Sequence, residues 1–506
     1  MHFENLKEMI YANTKNKLKD IDIPVKPGER NTLINQLYDG ISKGKFKSDE
    51  DAAAAIFQSN AKDARYKRLR QRLIRQLINV VFFIDVNQSR FSNYASAVSN
   101  IYQDYTGALA FIDRYAYGAG NFILLQTLEQ AVRWELTHLC ADITWHLRKN
   151  AALTGEDRAN RIKYAQLNQL YERKRYWETK SADYFDTIID QFGFDSNKAP
   201  TQELYERTKV FYEELSEKSE EVDTCLYYYY TGIIGIIMYV AANDHRAAIG
   251  VIDKTLAIFD ERKAINRARV LAIAFQKPVC LLQLREHETP AWKEAFDYLN
   301  DLVEPYTNNW LKFRSLETYQ AFYTRNYDKA FAIYKEVMAK SILQKYPGRA
   351  QDDWRLHNGY IHLLAQLGVL PLKEVEAVSG SFKLSRFVND FEMMFRDKEG
   401  MNIPVLFLPI LYNLAIGNNE ELAPSFEALE KYRQRYLNND TNRRSAVFLK
   451  ILLALAERPY DRNSADRKIE KELAVLRTLR PEGDRQLFVV EVIPYEHLLE
   501  LLKVPL

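Results

Sequence analysis

Cysteine is scarce in this chain: only three occur among 506 residues, Cys140, Cys225 and Cys280. They lie far apart and form no Cys-x-x-Cys pair, which argues against a disulfide framework and against a cysteine zinc site. The scarcity fits a reducing compartment, and we expect the protein to be cytoplasmic. The first residues lack a basic stretch followed by an apolar run, so the sequence predicts no secretory signal.

Glycine and proline are also few, at 18 and 15. Both residues are costly inside helices, so a long chain that contains few of them favours helical structure. Alternation of polar and apolar residues, which is typical of strands, is nearly absent. The exception is the β-branched stretch at residues 487–493, which we interpret as a short terminal strand or a terminal extended strap. The sequence therefore predicts an all-α fold.

A charge excess of either sign is missing too, with 70 Lys and Arg against 68 Asp and Glu. This balance predicts no overall attraction to nucleic acid or to an acidic membrane, so local charge must be judged separately. Residues 225–243 carry no charge. The run is short for a bilayer and contains four consecutive tyrosines, which favours a buried helix, and we expect no membrane span.

Motifs for catalysis and for cofactor binding are missing as well. The chain has no phosphate-binding loop or dinucleotide fingerprint, and its eight histidines are scattered. Glu135, His138, Asp142 and His146 follow helical steps that suit a di-metal helix bundle, but the second Glu-x-x-His motif that such a site needs is absent. We predict no cofactor, no metal and no catalytic residues. An enzyme whose site is assembled between helices is kept as an alternative.

A basic segment is the sharpest local feature that is present. Leu69 and Leu73 belong to an apolar stripe that alternates with cations, which predicts an amphipathic helix over residues 63–84. Two short helices are predicted before it, at residues 31–42 and 48–57, so the outline resembles a helix-turn-helix module with a basic third helix. The six cations are Arg65, Lys67, Arg68, Arg70, Arg72 and Arg75.

Three interpretations of this basic segment stay open at the level of sequence. The cations can contact DNA or RNA, or they can contact an acidic protein partner. They can also form a solvated helix face whose arginine stems cover apolar surface.

A repeated helical pattern begins near residue 224. Its clearest unit has Tyr327, Ala330 and Tyr334 at helical steps, and Ala295 precedes Ala330 by 35 positions. The pattern resembles the tetratricopeptide repeat family, whose period is about 34 residues, over residues 224–437. The sequence departs from that family at Arg325 and Leu422, where a glycine and an alanine are typical. The spacing between Ala248 and Ala295 is 47 positions, which is longer than the period of the family.

The resemblance implies a solenoid of antiparallel helix pairs that grips a partner on its concave face. The implied function is a non-enzymatic scaffold or adaptor that binds a protein or peptide. The first helix of the best pair supplies the candidate binding residues. These are Trp310, Lys312, Arg314, Tyr319 and Tyr323.

Loop signals divide the chain into four predicted segments. Residues 1–60 form a small helical module, and residues 61–195 form a long-helix segment that includes the basic helix. A linker at residues 193–201 leads into the repeat-like pairs of residues 202–380. Residues 381–506 contain further helix pairs and the terminal strap.

Overall fold

The computed structural model describes most of the chain, in twelve ranges: residues 3–15, 33–81, 93–155, 158–192, 202–262, 266–339, 342–346, 349–392, 403–418, 443–458, 461–479 and 491–503. Within these ranges the chain is helical and has no β-strand. The predicted all-α class is confirmed. The chain divides into two compact units, residues 1–168 and residues 169–506.

The first unit contains seven described helices and the start of an eighth. They are α1 (Phe3–Lys15), α2 (Leu33–Ser42), α3 (Asp49–Phe57), α4 (Ala64–Val81), α5 (Asn93–Ile112), α6 (Tyr117–Arg133), α7 (Thr137–Leu153) and α8 (Arg158–Phe192). The division between the units falls inside α8, after Asn168. The predicted linker at residues 193–201 lies outside the described residues.

The second unit continues from α8 through a long series of helices. They are α9 (Gln202–Glu217), α10 (Ser219–Val222), α11 (Cys225–Ala241), α12 (His245–Asp260), α13 (Arg267–Ala274), α14 (Gln276–Gln283), α15 (Pro290–Leu302), α16 (Asn308–Tyr323), α17 (Tyr327–Ala339), α18 (Arg349–Gln366), α19 (Leu372–Ser379), α20 (Leu384–Glu392), α21 (Ile403–Ile416), α22 (Arg443–Glu457), α23 (Arg462–Thr478) and α24 (Tyr495–Leu501). A short 3₁₀ turn, Leu343–Lys345, precedes α18.

Helices α1 to α4 share one hydrophobic core. Leu6 of α1, Leu37 of α2 and Leu73 of α4 are each fully buried in it. Ser48 caps α3, because its side chain accepts a hydrogen bond from the backbone N–H of Asp51 at 3.1 Å. The structure therefore does not separate residues 1–60 from the basic helix.

Similar turns join the helix pairs of the second unit. At Asn243, Arg285 and Arg325 the backbone enters the left-handed region with φ of 59°, and Gly368 and Gly417 do so at 73° and 71°. Each is followed by a residue whose N–H bonds back to a carbonyl five residues earlier, which satisfies the helix end. The first four turns are 42, 40 and 43 positions apart.

These intervals exceed both the tetratricopeptide period and the 35 positions between Ala295 and Ala330. Ala295 is the sixth residue of α15, whereas Ala330 is the fourth residue of α17. The two alanines do not occupy equivalent positions, so their spacing does not measure the repeat.

Neighbouring helix pairs bury one another's apolar faces. Contacts run in order from α11 and α12 through α14, α16 and α18 to α21, α22 and α23. One core cluster includes Trp354 of α18, Phe387 of α20 and Phe448 of α22, so it continues across the predicted boundary at residue 380. Each pair depends on its neighbours because its apolar face is covered only when another pair lies against it.

The end of the chain is held by a buried ionic network. Arg444, whose side chain is 3% exposed, donates from Nε to Glu491 at 2.6 Å and from Nη2 to Glu496 at 2.8 Å. Arg285 reaches the same Glu491 at 2.5 Å and stacks on the Tyr323 ring, 4.5 Å from its centroid. Arg444 also bonds backbone carbonyls at the end of α23. The network joins the last helices to the turn after α14.

Only part of the predicted terminal strap can be compared with the structure. Residues 487–490 lie outside the described residues. Glu491, Val492 and Ile493 are buried and have no regular secondary structure. They lead directly into α24.

Burial would by itself raise the pKa of Glu491, but Arg285 and Arg444 outweigh burial and hold the pKa below its usual range. A carboxyl whose pKa is depressed in the folded state stabilises the protein above the pKa of the unfolded chain, about 4.3. That contribution is lost as the pH falls below this value and through the folded pKa.

We predict that Arg444→Met lowers the free energy of unfolding of the second unit by about 3–5 kcal/mol, because it removes one partner of a buried ion pair. Thermal unfolding at pH 7 measures the loss. The exposed Arg467 of α23 provides the control, and Arg467→Met should change stability by less than about 0.5 kcal/mol. Equal stability of the two arginine variants would contradict the account of the network.

Glu491→Gln should reduce the loss of stability between about pH 5 and pH 3, because it removes the carboxyl that becomes protonated in this range.

Candidate nucleic-acid interface

Helix α4 turns one face into the core and the other into solvent. Tyr66, Leu69, Leu73 and Leu77 are 1%, 8%, 0% and 1% exposed, and their spacing of three and four residues forms a single stripe. The predicted basic helix is therefore present, over Ala64–Val81. The last three residues of the prediction, 82–84, lie outside the described residues.

Two of the six predicted cations are engaged by carboxylates. Arg65 pairs with Asp63 just before the helix at 2.7 Å, and its guanidinium lies 5.2 Å from the Phe57 ring. The pKa of Asp63 is held well below its usual range, mainly by hydrogen bonds from Arg65. Arg70 is half-buried at the flank of α4, where its Nε lies 3.3 Å from Asp49. Both arginines contribute to local structure.

The other four cations have no such role. Lys67, Arg68, Arg72 and Arg75 are exposed, and none forms an ion pair with a described residue. Arg68, Arg72 and Arg75 follow one another at steps of four and three, so they lie along one side of the helix. No acidic residue occurs within α4 itself. The result is a basic face, which we define as Lys67, Arg68, Arg72 and Arg75.

The acidic first turn of α3 contacts α4 through Asp49, on the side away from the basic face. The first turn of α3 carries Asp49, Glu50 and Asp51, an arrangement that the helix dipole favours. Asp49 accepts a hydrogen bond from the Tyr66 hydroxyl at 2.6 Å as well as approaching Arg70. Burial and then Asp49 raise the pKa of Tyr66, which keeps its phenol neutral as a donor. These contacts were not predicted, since only the folded chain brings α3 beside α4.

The order of α2, α3 and α4 agrees with the predicted outline, but the connection is unlike a helix-turn-helix. Residues 58–63 separate α3 from α4. This is longer than the three or four residues of a helix-turn-helix connection. Lys45 and Lys47, which precede α3, are exposed and add positive charge to the module, whereas Lys43 pairs with Asp39 at 2.8 Å.

The candidate residues of the repeat-like pair lie mostly inside the protein. Trp310, Tyr319 and Tyr323 are 8%, 8% and 7% exposed, because α16 is packed against α14, α17 and α18. Arg314 pairs internally with Glu317 and Glu336. Of the five candidates only Lys312 is exposed. These rings stabilise the core and do not form an open binding surface, a result that helical spacing alone could not predict.

The residues with di-metal spacing are not arranged as a metal site. Glu135 lies in the turn before α7, with φ of 52°, and not on the helix. His138 shares a 2.5 Å hydrogen bond with Tyr102, and His146 packs against Tyr105 and Trp145. Burial and Lys149 lower the pKa of His146, which favours its neutral form. Among the residues that the structure describes, no three potential ligands are grouped to hold a metal ion.

Known proteins offer no relative with which this site could be compared. No protein-family model, curated protein or solved structure matches the sequence. The tetratricopeptide resemblance therefore stays a prediction. Within the described ranges, no helix has the length and apolar character needed to span a membrane. The uncharged residues of α11 are instead largely buried in the core of the second unit.

We predict that Tyr66→Phe lowers the local stability of α1 to α4 by about 1–2 kcal/mol, since it removes the hydrogen bond to Asp49. Hydrogen exchange of peptides from α4 measures this local free energy. Arg68→Ala serves as the control on the same helix, with an expected change within about 0.5 kcal/mol. If Arg68→Ala destabilised the module as much as Tyr66→Phe, the basic face would have a structural role.

Proposed function

We propose that this chain is a non-enzymatic binding protein whose N-terminal helices contact nucleic acid through the basic face of α4. The observation that carries the proposal is the exposure of Lys67, Arg68, Arg72 and Arg75 without ionic partners among the described residues. In the same proposal, the helix pairs of the second unit form a tetratricopeptide-like scaffold that binds a protein or peptide.

The basic face is poorly explained as a contribution to folding. An arginine stem that covers apolar surface accounts for Arg70, which lies at the edge of the buried stripe. It does not account for side chains on the opposite side of the helix. Arg68 and Arg72 are like charges one turn apart, and Lys67 and Arg68 lie near the positive end of the helix dipole. Both arrangements are mildly destabilising, and an anionic partner offsets them.

A nucleic acid fits this face better than an acidic protein does. Protein interfaces usually centre on buried aromatic or aliphatic anchors with a polar rim. Among the described side chains of α4, residues 64–78, the one exposed large apolar residue is Ile78, which is 48% exposed. Three of the four cations are arginines, whose guanidinium groups bind phosphate oxygens in a bidentate manner. Regularly spaced phosphates therefore supply the complementary chemistry.

The scaffold part of the proposal has a different support. Successive helix pairs contact one another in chain order, and turns with left-handed residues recur at intervals of 40 to 49 positions. Stacked pairs of this kind usually present an extended binding surface. Since the aromatic candidates of α16 are buried, a partner must contact other residues of these pairs.

The main test is charge reversal of the basic face. We predict that the quadruple variant Lys67→Glu, Arg68→Glu, Arg72→Glu and Arg75→Glu weakens binding to nucleic acid at least tenfold at low salt. Fluorescence anisotropy with labelled DNA and RNA measures the affinity. Helicity and hydrogen exchange of α4 show whether the variant is folded.

A matched control separates the basic face from net charge. Four exposed cations without ion pairs to described residues are reversed in the second unit, which changes net charge by the same amount. This control variant should retain the affinity of the unmodified chain within about threefold, because it leaves all four cations of the basic face in place. Equal binding by both variants would reject α4 as the site. The control positions are Lys373, Arg467, Lys471 and Arg477.

A further inference from the structure

The basic face lacks the rings that single-stranded nucleic acid requires. Proteins that bind single strands combine a basic groove with aromatic side chains on which bases stack. Between residues 64 and 78 of α4 the one aromatic residue is Tyr66, which is 1% exposed and faces the core. Phe57 of α3 is partly buried, with Arg65 over its ring. Among the described side chains of α4, residues 64–78, a splayed base would find no exposed aromatic ring on which to stack.

Insertion of α4 into a groove, as in a helix-turn-helix, is opposed by α3. In that arrangement the preceding helix crosses the phosphate backbone while the recognition helix enters the major groove. Here the first turn of α3 carries Asp49, Glu50 and Asp51, of which Glu50 and Asp51 are exposed. These carboxylates would meet phosphates. Contact limited to the basic face keeps them at the flank of α4.

We propose that the basic face of α4 binds double-helical nucleic acid through backbone phosphates, without reading the base sequence. This inference rests on the proposed function and specifies its ligand. From Lys67 to Arg75 the helix advances by about 12 Å. A duplex presents one charge per about 1.7 Å of axis, so about seven phosphates lie within this length. Four cations can then contact about four of them.

Salt dependence gives this geometry a numerical signature. Each phosphate neutralised on a B-form duplex contributes about −0.9 to the slope of log K against log salt concentration. Four contacts therefore predict a slope near −3.6. Between 50 and 200 mM salt, affinity should fall by about two orders of magnitude.

The experiment measures the full-length chain against labelled probes of equal length. The probes are duplex DNA of three unrelated sequences, duplex RNA and single-stranded DNA. We expect the three DNA duplexes to bind within about threefold of one another and the single strand at least tenfold more weakly. Binding of both duplex types supports contact through phosphates. A preference between them shows whether DNA or RNA is the ligand.

Gln71 provides a control on the same side of α4. It is exposed beside the basic face, and a glutamine amide can read adenine in the major groove. Gln71→Ala should leave all affinities within about twofold. Recognition through phosphates alone would be overturned if Gln71→Ala weakened binding to one DNA sequence and not to the others. It would also be overturned if the affinities of the three DNA duplexes differed by more than tenfold. Preference for the single strand would overturn the duplex assignment.

These outcomes remain distinct from failure of the proposed function. If no probe binds at 50 mM salt, or if the charge-reversed variant binds as tightly as the unmodified chain, then α4 is not a nucleic-acid site. If binding depends on the basic face but is sequence-specific or favours single strands, the proposed function stands and only this inference fails.

Discussion

The buried stripe of α4 is the contact on which the proposed site depends. Tyr66, Leu73 and Leu77 are held in the core with α1 and α2, which fixes the rotation of the helix about its axis. Because the cations alternate with these residues at helical steps, burial of the stripe places Arg68 and Arg72 in solvent. Asp49 adds a polar contact through the Tyr66 hydroxyl and the Arg70 side chain. Because the helix itself is fixed by the core, only the side chains of the basic face need ordering when they meet a polyanion.

The second unit is organised by different interactions. Its helix pairs are covered by their neighbours, and left-handed turns satisfy the carbonyls at the ends of their first helices. The Arg444–Glu491–Arg285 network then fixes the last residues against much earlier ones. The net stability of a buried network of this kind is small because desolvation offsets the attraction, but removal of one partner is strongly destabilising. The network joins residues 491–496 to the turn after α14.

Sequence reasoning was most successful where local chemistry decides the structure. Few breakers and strong helical periodicity predicted the all-α class. The basic helix was predicted over residues 63–84 and is described over Ala64–Val81. These features depend on residues within one or two turns of each other, so a single sequence contains the information.

The failures concern contacts between elements. Trp310 and Tyr319 were expected on an open face, but α14 and α18 cover α16. The position of α3 decides which cations of α4 are paired. Arg70 lies near Asp49 of α3, whereas Arg72 has no ion pair with a described residue. The interval between the turns of the second unit was hidden because Asn243, Arg285 and Arg325 adopt the left-handed conformation that usually marks a glycine. Tertiary packing makes each of these choices, and a single sequence does not reveal it.

The most direct test of the central claim is lysine footprinting of the full-length chain with and without duplex DNA. Lys67 of the basic face and Lys471 of α23 are both exposed, so both react with an acetylating reagent in the free protein. The account predicts that saturating duplex at low salt slows modification of Lys67 several-fold and leaves Lys471 unchanged. Equal reactivity of Lys67 in the free and duplex-bound protein would contradict it.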